Sequence, residues 1–254
     1  MSTTFTTTPI KQVLSYPFKD ERWKGKTVIG ILIMLGNFIV PILPALFVYG
    51  YYYQIMERIL NGDGELHLPE WDDWGKLLKD GWRLFCVNFL YNLPAVFFML
   101  AGWVVYFVGI FGLAIGTAES YIPEESIFLI YLFMGIMFLC YGIGLIFILL
   151  SSLAVPPAMC NAVKHESFAA AFRFSEWWKV LKANIGGFFI TLLIGYGLFM
   201  IIMFVGQFLY MTMICCCLMY PAMLIGGYYI ALVFFALIPL VYKEGLEKLE
   251  AQAA

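Results

Sequence analysis

Charged residues are absent from four long apolar stretches of this chain, which lie at residues 27–56, 84–118, 126–163 and 183–242. An α-helix needs about 20 apolar residues to cross the hydrocarbon core of a bilayer. The second and third stretches each predict one tilted span, and the fourth, broken near residues 212–219, predicts two spans at 184–212 and 218–242. Backbone groups in lipid must be hydrogen-bonded within their own segment, so we expect helices throughout.

The first apolar stretch is interrupted by Pro41 and Pro44. Proline removes a helical hydrogen bond and disfavours helical backbone in the residue that precedes it. The interruption predicts two short helices, 27–40 and 44–60, that fold into a hairpin with both ends on one side of the membrane. The alternative is a single kinked helix, which gives five spans instead of six and an N-terminus on the outer side.

The basic residues lie in four short groups beside the apolar stretches. The groups are Lys11, Lys19, Arg22, Lys24 and Lys26; Arg58, Lys76, Lys79 and Arg83; Lys164, Arg173, Lys179 and Lys182; and Lys243 and Lys248. The other two breaks, near 117–125 and 211–221, hold no basic residue. This asymmetry is typical of the positive-inside rule. It predicts a multi-pass protein of the cell (plasma) membrane, with the basic loops and the C-terminus in the cytoplasm.

Composition agrees with a membrane protein, since 63% of the residues are hydrophobic and 13% are charged. Soluble domains have about 25% charged residues. We therefore predict one all-α integral membrane domain over residues 1–254, a polytopic transmembrane helix bundle of five or six helices. The net charge of −2 argues against a nucleic-acid partner, which would require a basic surface. Residues 1–9 lack the features of a signal peptide, so we expect the first apolar stretch to remain in the mature chain.

An internal repeat relates residues 71–79 to residues 174–182 at an offset of 103. The identical pairs are Trp74 and Trp177, Lys76 and Lys179, Leu78 and Leu181, Lys79 and Lys182, and Phe85 and Phe188. Both segments lead into a span, an outer loop and a returning span. The chain is therefore interpreted as three quasi-repeats, at about 10–60, 68–163 and 170–248. The alternative is that interfacial helices select Trp and Lys independently.

The segments that precede the spans carry both Trp and Lys. Trp suits the lipid headgroup level, and Lys reaches phosphates while its stem stays in apolar surroundings. We therefore predict short amphipathic helices in the cytoplasmic interface, which serve either as simple anchors or in the recognition of anionic lipid or a partner. The predicted anchors are Trp23, Trp71, Trp74, Lys76, Lys79, Trp177, Trp178, Lys179 and Lys182.

Small and polar residues indicate where helices pack or break. Gly112-x-x-x-Gly116 is a spacing that allows close helix packing. The predicted packing or break positions are Pro41, Pro44, Gly112, Gly116, Pro156 and Pro239. The polar residues of the spans either bond across helices or line a path for a neutral substrate. They are Asn37, Asn88, Asn92, Ser151, Ser152, Asn161, Thr191 and Gln207.

No Asp, Glu, Lys, Arg or His lies deep in a predicted span. Proton pumps and ion-coupled carriers usually need such a group there. The acidic segment 61–73 has Leu66 and Asp72 where a calcium loop requires Gly and Glu. The two histidines, His67 and His165, have no Cys-x-x-Cys nearby, which argues against zinc. We expect no catalytic residue, no metal and no cofactor.

Several short motifs resemble those of a known family. They are Tyr16-Pro17-Phe18, Gly50-Tyr51, Leu68-Pro69-Glu70, Trp74 and Asp80-Gly81. In these motifs the chain resembles the prokaryotic membrane proteins grouped as domain of unknown function 4013 (DUF4013), most specifically over residues 50–81. The resemblance implies a multi-pass prokaryotic membrane protein, and it implies no activity or catalytic residue.

Three hypotheses for function follow. The first is a non-catalytic membrane protein whose partners are membrane lipids, another protein or further copies of itself. The alternative is a permease or channel for neutral or amphiphilic small molecules, which the repeats, the Gly-rich spans and the broken first stretch favour. The third is an enzyme that uses Asp63, Glu65 and His67 at the membrane interface.

Overall fold

The fold is all-α, as predicted, over the residues that the structure describes. A computed structural model of the chain describes residues 13–62, 67–116, 124–211 and 216–253. These residues contain seven α-helices and no β-strand. The helices are α1 (Trp23–Gly36), α2 (Leu43–Asn61), α3 (Trp74–Gly116), α4 (Glu124–Lys164), α5 (Phe174–Ala183), α6 (Ile185–Met211) and α7 (Cys216–Ala253). The 3-10 helices Tyr16–Phe18 and Phe168–Phe172 precede α1 and α5.

Four of these helices are long and apolar enough to cross a membrane. They are α3, α4, α6 and α7, and their candidate spans are Trp74–Ile115, Ser126–Lys164, Ile185–Met211 and Pro221–Gln252. Each candidate span overlaps one predicted from the sequence, although the first begins before residue 84 and the last ends after residue 242. Helix α4 continues through Pro156 and Pro157, and α7 continues through Pro239, so these prolines do not end a helix. Neighbouring helices and local adjustments satisfy the freed carbonyls in such cases.

The first apolar stretch forms two helices instead of one kinked helix. Residues 37–42 separate α1 from α2 and are not helical. Pro41 lies within this break, and Pro44 lies in the first turn of α2, where a missing N–H is tolerated. The side-chain oxygen of Asn37 accepts a hydrogen bond from the Ala45 N–H at 3.2 Å. This hydrogen bond therefore links the C-terminal end of α1 to the first turn of α2 across the break.

The two segments of the internal repeat differ in local structure. In the second, α5 is a separate helix of 10 residues, and Asn184 separates it from α6. In the first, residues 71–73 are not helical, and α3 runs from Trp74 into its apolar part without a break. The separate interfacial helix expected at 71–79 is therefore the beginning of α3. The second segment is a separate helix because the backbone of Asn184, with φ −133°, is not helical and ends α5 before α6 begins.

The chain divides into two compact units within the two longest helices. One unit is Asn88–Ala154, which contains the C-terminal part of α3 and the N-terminal part of α4. The other combines Met1–Val87 with Val155–Ala254 and contains the remaining helices. In this larger unit α7 is central, because it contacts α1, α2, α5 and α6.

Glycines bring the two helical segments of the smaller unit together. At three of them an added Cβ would press on a side chain of the other helix: Gly102 on Cys140, Gly109 on Phe133 and Gly144 on Met99. Gly112, which the sequence predicted as a packing position, has no atom within 4 Å of an added Cβ. Gly116 ends α3, and its surroundings lie outside the described side chains. Among the glycines whose surroundings are described, the close approach therefore uses Gly102, Gly109 and Gly144 and not Gly112.

In the larger unit, α2 and the beginning of α3 cross with their backbones in contact. A Cβ on Gly50 would overlap the Leu77 carbonyl oxygen. A Cβ on Gly81 would overlap the Leu46 carbonyl oxygen and lie 2.7 Å from the Gly50 nitrogen. Two glycines that face each other allow this approach, since any other residue would place a side chain between the two backbones.

We expect Gly50→Ala to destabilise the protein by about 1–3 kcal/mol, because overpacking forces the two backbones apart. The matched control is Gly197→Ala in α6, where an added Cβ has no atom within 4 Å. Alanine there should leave stability unchanged or raise it by up to about 1 kcal/mol through its better helix propensity. Thermal unfolding of the purified protein in detergent measures both. Equal midpoints for the two variants would contradict the backbone contact.

Candidate functional site

The ammonium group of Lys26 is the centre of the candidate site. Lys26 lies in the first turn of α1, and its side chain is only 7% exposed. Three oxygens surround its Nζ atom: Asp20 Oδ2 at 2.6 Å, the Leu68 carbonyl at 2.8 Å and Glu70 Oε1 at 2.8 Å. An ammonium has three hydrogens, so the number of acceptors matches the number of donors. A buried charge is tolerated when it is compensated in this way.

Glu70 connects the buried lysine to the surface. Its Oε1 atom is also 2.6 Å from Arg22 Nη2. The side chains of Arg22 and Glu70 are 76% and 41% exposed, whereas that of Asp20 is 8% exposed. Exposed ion pairs contribute only about 0–1 kcal/mol. The cluster therefore depends mainly on the buried pair of Lys26 and Asp20.

Aromatic side chains fix the position of the segment 67–71 beside the buried pair of Lys26 and Asp20. The Trp71 ring stacks on Tyr51 with a centroid separation of 4.1 Å. The indole N–H of Trp71 donates to the backbone carbonyl of Lys26 at 3.0 Å. The Tyr51 hydroxyl donates to the Pro69 carbonyl at 3.1 Å, and the Tyr16 hydroxyl donates to the His67 carbonyl at 3.3 Å. Lys26 Nζ binds the Leu68 carbonyl between them, so side chains from the first 3-10 helix, α1 and α2 bind three successive carbonyls of this non-helical segment.

The electrostatics keep the Asp20 carboxyl ionised. Burial by itself raises the pKa of this carboxyl, but hydrogen bonds from Lys26 Nζ and the Arg22 N–H outweigh it, so the pKa is lowered from 3.8. These hydrogen bonds are made to the charged form and therefore favour it. Burial also raises the pKa of the Tyr16 hydroxyl well above its usual value, which keeps it a neutral donor.

A second polar cluster surrounds Asn161, which is 1% exposed. Its amide nitrogen donates to the Ala170 carbonyl at 2.8 Å and to Glu176 Oε2 at 3.0 Å, and its oxygen accepts from the Tyr242 hydroxyl at 3.0 Å. The hydrogen bond from Asn161 is the largest cause of the lowered pKa of Glu176. Asn161 therefore joins α4, α5 and α7, which is the packing role that the sequence left as one of two alternatives.

A third polar group, Asn184, was not predicted from the sequence. It is 4% exposed, and its amide nitrogen donates to the Val241 carbonyl at 3.0 Å and to Glu244 Oε2 at 3.1 Å. Its oxygen accepts from Lys248 Nζ at 2.7 Å. An Asn at the start of an apolar stretch was the available signal, but its partners are about 60 residues away in the chain.

The predicted anchors divide into buried and exposed residues. Trp71 and Trp177 were expected at the headgroups, but they are 8% and 3% exposed and face the protein interior. The reason is that each indole N–H has a backbone acceptor, which for Trp177 is the Ala171 carbonyl at 3.0 Å. Trp23 is partly buried. The exposed members of the predicted set are Trp74, Lys76, Lys79, Trp178, Lys179 and Lys182.

Polar side chains of the smaller unit serve helix packing. The Ser151 hydroxyl donates to Asn92 Oδ1 at 2.7 Å, which joins α4 to α3. The Asn92 amide also donates to the Asn88 carbonyl at 2.9 Å. The Ser152 hydroxyl donates to the Leu149 carbonyl within α4, and in the larger unit the Thr191 hydroxyl donates to the Gly187 carbonyl within α6. Gln207 is exposed on α6.

The smaller unit also carries an apolar groove between α3 and α4. Its volume is about 520 Å³, and its lining includes Val104, Val105, Val108, Gly112, Leu113 and Phe133. The glycine leaves open the space that a side chain would occupy. Such a lining suits a hydrocarbon chain and provides no polar contact for an ion.

The acidic segment 61–73, which the enzyme hypothesis uses, is described only in part. Asp63 and Glu65 lie outside the described residues, and His67 is exposed in a non-helical segment. Among the residues described on either side of this gap, no group of three or more His, Cys, Asp and Glu could hold a metal ion.

Comparison with known families supports the resemblance that the motifs carried. A family described as a protein of unknown function (DUF4013) matches residues 33–211, which is more than half of the chain. The predicted family is thereby confirmed. The matched range includes Gly50, Leu68, Glu70 and Gly81, whereas Lys26 precedes it. Comparisons with curated proteins and with solved structures give no match.

We expect Lys26→Met to destabilise the protein by about 3–5 kcal/mol, because it leaves the Asp20 carboxylate buried without its charged partner. The control Arg22→Gln removes an exposed charge from the same cluster and should cost less than about 1 kcal/mol. Unfolding by added denaturing detergent measures both. Equal losses of stability in the two variants would show that the cluster does not depend mainly on the buried pair of Lys26 and Asp20.

Acidification should remove the contribution of the Asp20 carboxylate to the free energy of unfolding. Because its pKa is lowered in the folded protein, the stabilisation is fully present above the ordinary value of 3.8 and is lost as the pH falls through the lower, folded value. We expect the difference in unfolding free energy between the wild type and Asp20→Asn to be constant down to about pH 4 and then to shrink. The control Asp72→Asn changes an exposed carboxyl. A difference that grows on acidification would contradict the assignment.

Proposed function

We propose, from the premise that the chain belongs to the DUF4013 family of proteins of unknown function, that it is a non-catalytic multi-pass protein of the cell membrane. It acts through contacts with membrane lipids or with partner proteins. The four long apolar helices already indicate a membrane protein. The proposal adds a kind of contact, six membrane-embedded helices and a cytoplasmic side for the basic groups.

The observation that carries the proposal is the exposure of the two longest helices. In α3 and in α4, only 6% of the most apolar window is buried within the protein. Contiguous apolar patches on soluble proteins rarely exceed a few hundred Å², and larger ones mark contact with a membrane or a partner. Lipid or another protein therefore covers these helices, and that contact is the most extensive interaction available to the chain.

The exposed apolar turn between α1 and α2 supports a hairpin that enters the membrane. Phe38, Ile39 and Ile42 are 66%, 85% and 56% exposed there. Apolar side chains at a turn are unfavourable in water and favourable in hydrocarbon. Two hairpin helices and the four long helices together give six, and α5 lies at the interface.

Contacts within the larger unit support a single cytoplasmic side for the basic groups. Lys243 Nζ lies 3.2 Å from the Ile59 carbonyl, and Lys76 Nζ lies 3.1 Å from Glu57 Oε2. Basic residues from the beginning of α3 and from α7 therefore meet the C-terminal end of α2. Basic loops that share one end of the helices are cytoplasmic under the positive-inside rule.

A second candidate is a permease for amphiphilic small molecules. The apolar groove between α3 and α4 favours it, because a hydrocarbon tail fits a lining of this kind. Flux of a labelled amphiphile into vesicles that contain the purified protein tests this candidate. Protein-free vesicles are the control, and equal flux in both would exclude it.

Retention of lipid or protein after gentle extraction tests the main proposal. We expect the chain to sediment with membranes and to leave them only with detergent. It should then copurify with bound phospholipid or with a constant partner protein, detected by mass spectrometry. A chain that purifies without either of them would contradict the proposed mode of action.

Labelling from outside tests the orientation. Ser175 is exposed on α5, so Ser175→Cys in a cysteine-free background supplies a single target. We expect no reaction with a membrane-impermeant maleimide in sealed cells and full reaction after permeabilisation. Reaction in sealed cells would reverse the orientation.

A further inference from the structure

We infer that the outer face of α5 binds the headgroup of an anionic phospholipid. This face is defined by Phe174, Trp178, Lys179 and Lys182 and is called the α5 face below. The inference rests on the proposed function, because it names one class of lipid and one location for the lipid contact.

Helix α5 has two unlike sides. The buried side packs against the protein and consists of Trp177, Val180 and Leu181. Phe174, Trp178 and Lys182 are spaced by four residues, so they form one stripe, which runs beside the buried side. Phe174 and Trp178 are 57% and 47% exposed, and Lys182 is exposed as well. An aromatic and basic stripe on a short amphipathic helix is typical of helices that lie in the membrane interface.

The lysine and the tryptophan of this stripe form a preorganised pair. Lys182 Nζ lies 5.4 Å from the centroid of the Trp178 ring. This distance allows a cation–π contact, which holds the ammonium beside the ring. An indole ring at the headgroup level and an ammonium that reaches a phosphate then contact the same lipid molecule.

The position of the α5 face along the chain determines its depth in the membrane. The apolar helix α6 begins at Ile185, which is 58% exposed and follows Lys182 by three residues. The backbone turns from α5 into α6 at Asn184. The stripe therefore lies where the hydrocarbon begins, which is the level of the phosphates.

Charge complementarity selects an anionic lipid. Three other lysines in this unit have carboxylates beside them: Lys26 with Asp20, Lys76 with Glu57 and Lys248 with Glu244. Over the described ranges, Lys179 and Lys182 have no carboxylate within ion-pair distance. The acid of this helix, Glu176, is bound by other residues and not by these lysines. A net positive surface at the headgroup level attracts anionic lipid.

Native mass spectrometry of the full chain in detergent tests the inference. Phosphatidylglycerol and phosphatidylcholine are titrated separately against the wild type and Lys179→Gln/Lys182→Gln. Each surface lysine contributes about 1 kcal/mol to anionic lipid binding, so the double variant should bind phosphatidylglycerol about thirtyfold more weakly. Its binding of phosphatidylcholine should be unchanged. Equal phosphatidylglycerol affinity for the variant and the wild type would overturn the inference.

Two further variants separate a site from a general charge effect. Lys19→Gln/Lys164→Gln removes the same charge from exposed positions outside α5 and should bind phosphatidylglycerol like the wild type. Trp178→Leu keeps the charge and should weaken binding by a smaller factor than the loss of both lysines. The α5 face is not the site if the Lys19 and Lys164 variant loses as much affinity as the Lys179 and Lys182 variant.

The remaining outcomes separate this inference from the proposed function. Soluble glycerol phosphate should not bind. If it bound as tightly as the lipid, the site would be one for free phosphate and the inference would fail. If wild type bound both lipids equally, the anionic site would fail and the lipid-contact function would stand. If neither lipid nor any partner protein were retained, both would fail.

Discussion

The larger unit depends on the compensation of one buried positive charge. Lys26 lies in the first turn of an apolar helix, and its ammonium has acceptors from Asp20, Leu68 and Glu70. A buried ammonium without these acceptors would be strongly unfavourable, so the N-terminal segment and the segment 67–71 must both come to α1. The aromatic stack of Trp71 on Tyr51 then extends this arrangement to α2.

The second constraint is the close approach of helix backbones. Lipid tails are as apolar as the helix side chains, so association depends on packing and on polar bonds between helices. Gly50 and Gly81 bring two backbones into contact, and the bond of Ser151 to Asn92 joins α3 and α4 in the smaller unit. The long helices keep most of their apolar surface exposed, which leaves it for lipid or for a partner.

The motifs that carried the family resemblance have a physical reason in the fold. Gly50 and Gly81 are separated by 31 positions in the chain, yet each fits against the backbone beside the other. The carbonyls of Leu68 and Pro69 accept hydrogen bonds, and Glu70 completes the environment of the buried lysine. The motif residues are therefore those that bring the first hairpin, the segment after it and α3 together.

Hydrophobic pattern alone was sufficient for the four long helices and for the break at Pro41, because chain length and proline geometry are local properties. The burial of Trp71 and Trp177, the bonds of Asn184 and the open space at Gly112 were not predictable in this way. A tryptophan has the same local signature whether its N–H meets a headgroup or a distant carbonyl. The sequence by itself determined which segments are helical and apolar, and only the tertiary structure decided which polar groups found partners, because those partners lie far apart along the chain.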